Sequence, residues 1–388
     1  MLTFFLLSTI AQANSDWALL FREIQQNNSS LEAFRLQQAG AQAERTNSIR
    51  WDDLQLDGYY LNSPDNPNSY LELEVSQSIP SLLSVPSQRR WLTETQSLAD
   101  TALQAQAQEL LLEATHELLS LVLIDRQKQI AAHRFERAQK HLEHYAALLA
   151  AGEITAAELQ KVQLVALQYQ LELQELDRLS STHSKNIERI KGSPLQSNPS
   201  DYPRSIEAID LESLWTTRRQ QDPGLRKGEQ AITATAIQHK LAKQAIFPDL
   251  SVGFNRQGIQ GETYSGLYLG LSVPLYKVSS QISAAAYHHQ QALVQQMGLS
   301  SLEKTKLDAQ YQAYNSLLEQ YTQLKTILDA VDYEQQLESQ LSAGILSFVE
   351  YHQEYEFYAH SEDRLLELEF QLQVLLSELY KHTLLEAP

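Results

Sequence analysis

The sequence predicts a mainly α-helical protein with membrane β-strands, built as a duplicated helix–β-hairpin–long helix–turn–helix unit. Three observations carry that prediction. Apolar residues recur at helical spacing over stretches longer than an isolated globule uses, two strand pairs alternate apolar and polar residues, and the segments follow the same order in both halves. Composition agrees: 13 glycines and 11 prolines among 388 residues, 43% of them hydrophobic, is the bias of long helices and coiled coils.

The first segment, Met1 to Ala13, reads MLTFFLLSTIAQA and closes on Ala11-Gln12-Ala13, the small-x-small pattern accepted by signal peptidase. A cleaved secretory signal is expected there. It contains no charged side chain, so the mature chain keeps the formal net charge of −18. The absence of cysteine suits an oxidising compartment and excludes disulfides, thiolate catalysis, cysteine zinc sites and a lipidated N-terminal cysteine. No run of about 18 apolar residues follows, so any membrane crossing must use strands of a closed barrel. With 48 acidic against 30 basic residues, nucleic acid is disfavoured as a partner.

Two repeats then follow, 14–192 and 209–388, joined by a linker at 193–208. Asp53-Leu54-Gln55-Leu56 lies on Asp249-Leu250-Ser251-Val252, and Leu71-Glu72-Leu73-Glu74-Val75-Ser76 on Leu267-Tyr268-Leu269-Gly270-Leu271-Ser272. Ala151 to Glu158 lies on Ala343 to Glu350, and Gln25 to Leu31 on Arg219 to Leu225. Each repeat opens with a helix, about 16–50 in the first. The hairpins, 53–80 and 249–276, have strands of about ten residues with Leu71, Leu73, Val75 and Ile79 on one face and Glu72, Glu74, Ser76 and Ser78 on the other, the length and alternation of tilted membrane strands.

From Pro86 nothing interrupts a helical pattern until Gly152, roughly 65 residues or on the order of 100 Å. A heptad seam, Ala131, Phe135, Ala138, Leu142, Tyr145 and Leu149, faces a matching seam after the turn in Leu159, Val162, Ala166, Tyr169, Leu173 and Leu176, predicting an antiparallel coiled coil. The helices before the hairpin and after the turn are each half as long as the helix between, so each packs along one half of it. Tip turns fall at 151–155 and 343–347. Four strands cannot close a barrel whose smallest membrane form has eight, so several copies must contribute, and three would give twelve strands.

The duplicated plan, the Phe247-Pro248-Asp249-Leu250 entry to the second hairpin, its Gly270-Leu271-Ser272-Val273-Pro274-Leu275-Tyr276 exit and the two glycine tips resemble the outer-membrane efflux proteins of the TolC type, including heavy-metal-efflux members. The resemblance covers nearly all of the mature chain. It implies a homotrimer with an α-barrel continuous with a 12-stranded β-barrel, in the outer membrane of a Gram-negative bacterium and extending into the periplasm. Outer-membrane lipid, a periplasmic adaptor (membrane fusion) protein and an inner-membrane pump would be its partners, and the role a passive conduit for efflux or secretion. The brief loops 62–69 and 256–264 leave little to project outside the cell.

Gly152 and Gly344 sit where each coiled coil reverses, the place of a C-cap glycine with positive φ. The resemblance adds adaptor docking at Ala151, Gly152, Glu153 and Ile154 and at Ala343, Gly344, Ile345 and Leu346. Glu158 and Glu350 match positions where family members place acids lining the pore entrance; otherwise they are solvated first-turn acids favourable to the helix dipole. Leu346 stands where some members carry an entrance-locking arginine, which leaves closure to other contacts such as Tyr351 or Tyr355. His141 with His144, and His288 with His289, lack His-x-x-x-His spacing and are assigned no metal. With no Ser/His/Asp arrangement and no Gly-rich phosphate loop, neither enzyme activity nor a cofactor is expected. The competing role is a secreted periplasmic coiled-coil scaffold or tether, which would not need hairpins with apolar outward faces.

Overall fold

The computed structural model describes residues 17–47, 52–63, 66–79, 83–259, 262–273, 278–330 and 332–385. The expected signal at 1–13, Pro80 and the Pro274-Leu275-Tyr276 exit lie outside them. Among the described residues the chain is mostly helical with one small antiparallel sheet. Residues 17–27 form helix α1. There follow α2 (Ser29–Asn47), β1 (Gln55–Ser63), β2 (Asn66–Ile79), α3 (Val85–Ala151), α4 (Ala156–Lys191), α5 (Leu211–Gln221), α6 (Pro223–Gln244), β3 (Asp249–Ile259), β4 (Glu262–Ser272), α7 (Val278–Asp329), α8 (Tyr333–Ser342) and α9 (Phe348–Leu379).

The opening helix of each repeat is broken, where the sequence pattern predicts one continuous helix. In the first the break is at Asn28, whose Oδ1 accepts from the backbone N–H groups of Ser30 and Leu31 at 2.9 and 3.0 Å while its Nδ2 donates to the Ile190 carbonyl at 2.6 Å. The aligned position in the second repeat is Asp222, followed by Pro223 as the first residue of α6. Short Asx side chains compete for backbone N–H groups, and a proline at N1 lacks the donor that would be orphaned there. The second long helix also departs from the expected pattern, ending at Asp329 and restarting after Asp332, whose Oδ1 accepts from Gln335 N at 3.1 Å.

The chain divides into two compact units. One takes in the described residues up to Glu32, Gln106–Asp222 and everything from Glu303. Its core joins Trp17, Phe21 and Ile24 of α1 to Leu111, Leu118 and Leu121 of α3 and to Ile187 and Ile190 of α4. Each such side chain, fully removed from water, contributes roughly 1.5–3 kcal/mol. Farther along, Leu214 of α5 and Leu307 and Tyr314 of α7 pack with Leu372, Leu376 and Leu379 of α9. Gly192 ends α4 with φ of +76°, where a Cβ would stand 2.8 Å from the Asn27 carbonyl oxygen, so only glycine fits.

The other unit holds Ala33–Ala105 and Pro223–Leu302. Its sheet has the order β1-β2-β3-β4, every pair antiparallel. The two hairpins are joined through β2 and β3, with Leu71 opposite Gly258 and Ile79 opposite Leu250. Its helices meet on small side chains: Ala99, Ala234, Ala285 and Ala292 are buried with Ile237.

Candidate functional site: the two tips and the two-faced sheet

Both tips reverse by the same chemistry. Gly152 (φ +77°) donates to the Leu149 carbonyl and Glu153 N to the Leu148 carbonyl; Gly344 (φ +69°) donates to Leu341 and Ile345 N to Gln340, all at 2.9–3.0 Å. These paired bonds are Schellman motifs, which satisfy carbonyls left over at a helix end. A Cβ at either glycine would meet nothing within 4 Å, so the requirement for glycine is one of backbone conformation.

The next helix starts with a capping box at each tip. Thr155 Oγ1 accepts from Glu158 N at 3.3 Å while Glu158 Oε2 accepts from Thr155 N at 2.7 Å; Ser347 and Glu350 repeat the pair at 3.3 and 2.9 Å. These bonds hold both carboxyls below the usual carboxylate range. Glu158 and Glu350 therefore have a local role, closing the N-termini of α4 and α9, and are exposed. Ala151, Gly152 and Glu153 are exposed and Ile154 half-buried, as are Ala343, Gly344 and Ile345 exposed and Leu346 half-buried. Tyr351, expected at a pore entrance, is instead a core residue: 3% exposed, its hydroxyl donating to Glu338 Oε2 at 2.8 Å and its ring stacked on Tyr355. One turn into α9, its period-3.6 position turns it inward with Phe348 and Tyr355.

A basic stripe on α3, Arg134, Arg137 and His141, binds the second coiled coil to the first, and the heptad reading passed over it. Arg134, 3% exposed, grips Asp363 with both terminal nitrogens at 3.0 and 2.9 Å and donates to the Ala359 carbonyl at 3.1 Å. Burial opposes its charge, but Asp363 and Glu362 outweigh that and push its pKa up. Arg137 lies 4.0 Å over the Tyr355 ring and pairs with Glu334. His141, 3.6 Å from Glu338, is held neutral chiefly by burial; Glu338 pulls the other way, and Arg137 and His144 reinforce burial. Tyr169 of α4 donates to Glu356 of α9 at 2.8 Å. The signal was present: two arginines and a histidine at i, i+3 and i+7 beside the apolar seam share a face. No group of three or more His, Asp or Glu among the described residues could hold a metal ion.

Apart from Gln77, Arg256, Thr263 and Ser265, which fall on the apolar face, the sheet separates polar from apolar residues across its four strands. Residues paired in register share a face, which places Leu56 and Tyr60, Leu71, Leu73, Val75 and Ile79, Leu250, Val252 and Phe254, and Leu267, Leu269 and Leu271 on one side. Leu56, Leu267, Leu269 and Leu271 are 70–87% exposed. The other side carries Asp57, Tyr59, Tyr70, Glu72, Glu74, Asn255 and Gln257. There Glu72 accepts from Tyr70 at 2.6 Å, from Gln257 at 2.9 Å and from Asn255. Tyr268 lies over Gly253, where a Cβ would meet its ring at 2.3 Å and the Val75 carbonyl oxygen at 2.8 Å. Such an exposed apolar band would be an aggregation hazard in water; the alternation is the pattern of lipid-facing strands in membrane barrels.

The chain has the fold of the TolC-type outer-membrane channels. It superimposes on a membrane protein from Pseudomonas aeruginosa with a TM-score of 0.75, 15% identity and coverage of 94% of this chain and 93% of that one. For CusC, described for transmembrane channel formation, the figures are 0.73, 14%, 96% and 91%. For the MtrE outer-membrane channel of Neisseria gonorrhoeae they are 0.72, 13%, 94% and 88%. At these identities the likeness is one of fold. No protein-family model and no curated relative matches the sequence.

Proposed function

We propose that the chain is one subunit of a homotrimeric outer-membrane channel of a tripartite efflux or secretion system, a passive conduit from periplasm to exterior that catalyses no reaction. Residues 1–13 are its cleaved signal, 14–192 and 209–388 its two repeats, and 193–208 the linker. The observation that carries this reading is the sheet, whose exposed apolar face spans four strands while, among the described residues, β1 and β4 have no neighbour on their outer edges. Three copies would close a barrel of twelve strands with Glu72 and Glu74 toward water. A tether would gain nothing from that face. The glycine tips, Ala151 to Ile154 and Ala343 to Leu346, are read as the docking points of a periplasmic adaptor that joins an inner-membrane pump.

Purification from outer membranes as a detergent-requiring trimer that forms pores in a planar bilayer is the expected result; a water-soluble monomer with no conductance would reject the reading. At the entrance, Glu158 and Glu350 supply negative charge near the axis. Glu350→Gln keeps an acceptor at N3 of the capping box, so it removes charge with little change of structure. It should lower cation preference, and unaltered selectivity would remove Glu350 from the entrance.

A further inference from the structure

Charge is sorted between the two faces of the sheet. The acidic residues of the strands, Asp57, Glu72, Glu74, Asp249 and Glu262, fall by register on the polar face. The strands hold a single basic residue, Arg256. It falls on the apolar face, opposite Leu73 of β2 and Ser265 of β4, and is exposed. No carboxylate of the sheet shares its side. Its height is equally particular. Strand β2 runs into α3 and β4 into α7, so the helices lie at one end of the strands and the hairpin connections at the other. From the helix end, apolar rows pass through Leu250 and Leu271, Val252 and Leu269, and Phe254 and Leu267 before the row of Arg256 and Ser265 is reached, roughly 20 Å along the strand from Leu250. A cation on a lipid face is costly at mid-depth and tolerated near an interface, and Arg256 stands where the apolar rows end.

The surroundings of Arg256 suit an anion with an apolar tail. A guanidinium is planar and weakly hydrated, and it meets phosphate oxygens with two parallel N–H donors. Ser265 is directly opposite, and Thr263, one row nearer the hairpin end, lies diagonally within reach of a long side chain. Both are exposed, and their hydroxyls can donate to the same oxygens. Gly258, the next residue on this face of β3, puts no side chain between the arginine and the rim. On the helix side of the row, Phe254, Leu267 and Leu269 are 45, 87 and 76% exposed. We propose that Arg256, Ser265 and Thr263 bind the phosphate of a lipid headgroup at the outer rim of the barrel, with the acyl chains of that lipid along Phe254, Leu267 and Leu269. The headgroup is held by charge and the chains by apolar area, so an acylated phosphate satisfies both parts and a free phosphate only one. A chain of net charge −18 repels anionic lipid as a whole, which makes the attraction local to this cation.

This inference rests on the outer-membrane channel reading above, and the test separates the two. Full-length protein in detergent is mixed with lipid A, a diphosphorylated and multiply acylated glycolipid, and the bound lipid is counted by native mass spectrometry. One lipid A per copy of the chain is expected. Arg256→Gln should weaken binding about tenfold, the worth of a charge-assisted hydrogen bond at an exposed site, while Arg256→Lys, which keeps the charge, should bind more tightly than the glutamine variant. Equal binding of dephosphorylated lipid A would mean that only the chains are held. Displacement of lipid A by inorganic phosphate would mean a free-anion site. Either result, or undiminished binding by Arg256→Gln, would overturn the proposal while a pore-forming trimer still stood. A water-soluble monomer without conductance would overturn the channel reading, and the lipid site would fall with it.

Discussion

The two tips are chemically alike, and the helices that enter them are not. Each reverses through an αL glycine and a hydroxyl–glutamate capping box. Yet α3 reaches its glycine as one helix of 67 residues, while its counterpart is divided between Asp329 and Tyr333. At the same distances before the glycine, the first repeat has Arg137 and Lys140 where the second has Asp329 and Asp332. Arginine and lysine are good helix formers. An aspartate opposes the dipole at the end of α7, and another caps the restart. Reversal is thus fixed locally and twice, whereas the break in the second long helix coincides with two aspartates.

The largest expected effect tests whether the tips share a common base. His382, 3% exposed, has its pKa pushed down from 6.5 to about 4, mainly by burial and then by Arg218. A histidine with a depressed folded pKa contributes fully above its unfolded value and loses that contribution as pH falls. Stability on the order of 3 kcal/mol should therefore disappear between pH 6.5 and about 4. His116, His141 and His352, also depressed by burial, add to the loss as pH falls below the ordinary histidine value. Thermal melts from pH 7.5 to 4.5 should fall steeply, and His382→Asn should flatten the slope; equal slopes would exclude His382 as the cause.

Arg134→Met should come next, since it removes the buried cation that ties α3 to α9. Losing one member of a buried pair costs about 3–5 kcal/mol, and the part-exposed carboxylates of Asp363 and Glu362 bring this to roughly 2–3 kcal/mol. Hydrogen exchange should rise in α9 more than in α4. A uniform rise would show that the stripe does not single out the second coiled coil.

Thr155→Ala and Ser347→Ala should each cost about 1 kcal/mol and fray the first turn of α4 or α9 respectively. Near-equal losses are expected because the two boxes have near-equal geometry; a twofold difference in exchange protection would break the equivalence. Smallest of all, Asp332→Arg should gain a few tenths of a kcal/mol by removing the competing cap. Protection gained at Ala330 and Tyr333 would show α7 and α8 fusing, and none would assign the break to packing.

Most of the local plan was legible because it rests on short-range chemistry. Strand alternation around Leu71–Ser76 placed the faces of β2 correctly, and Ala-Gly at 151–152 and 343–344 located the reversals. Thr155-x-x-Glu158 and Ser347-x-x-Glu350 are also sequence signatures of caps, so the bonded role of both glutamates could have been read in advance. The helix break at Asn28 was hidden because an asparagine also fits a solvated helix face; its partner, the Ile190 carbonyl, is 162 residues away. Tyr351 was expected at the entrance as a closing contact in place of the arginine that Leu346 replaces, whereas its spacing from Phe348 and Tyr355 turns it into the core.

The seam between the hairpins has a consequence for how the protein is made. Strand β2 bonds to β3, and the polar contact of Glu72 with Gln257 spans 185 residues of sequence. When the first repeat has been made and the second has not, β2 therefore has β1 on one side and an open edge on the other. Pairing at such long range is slow because the intervening loop must close first. An apolar strand waiting with unpaired amides is a template for wrong partners. The leading half of each chain thus carries an open strand edge until the trailing half is available, and the interval is set by the length of the helices that lie between.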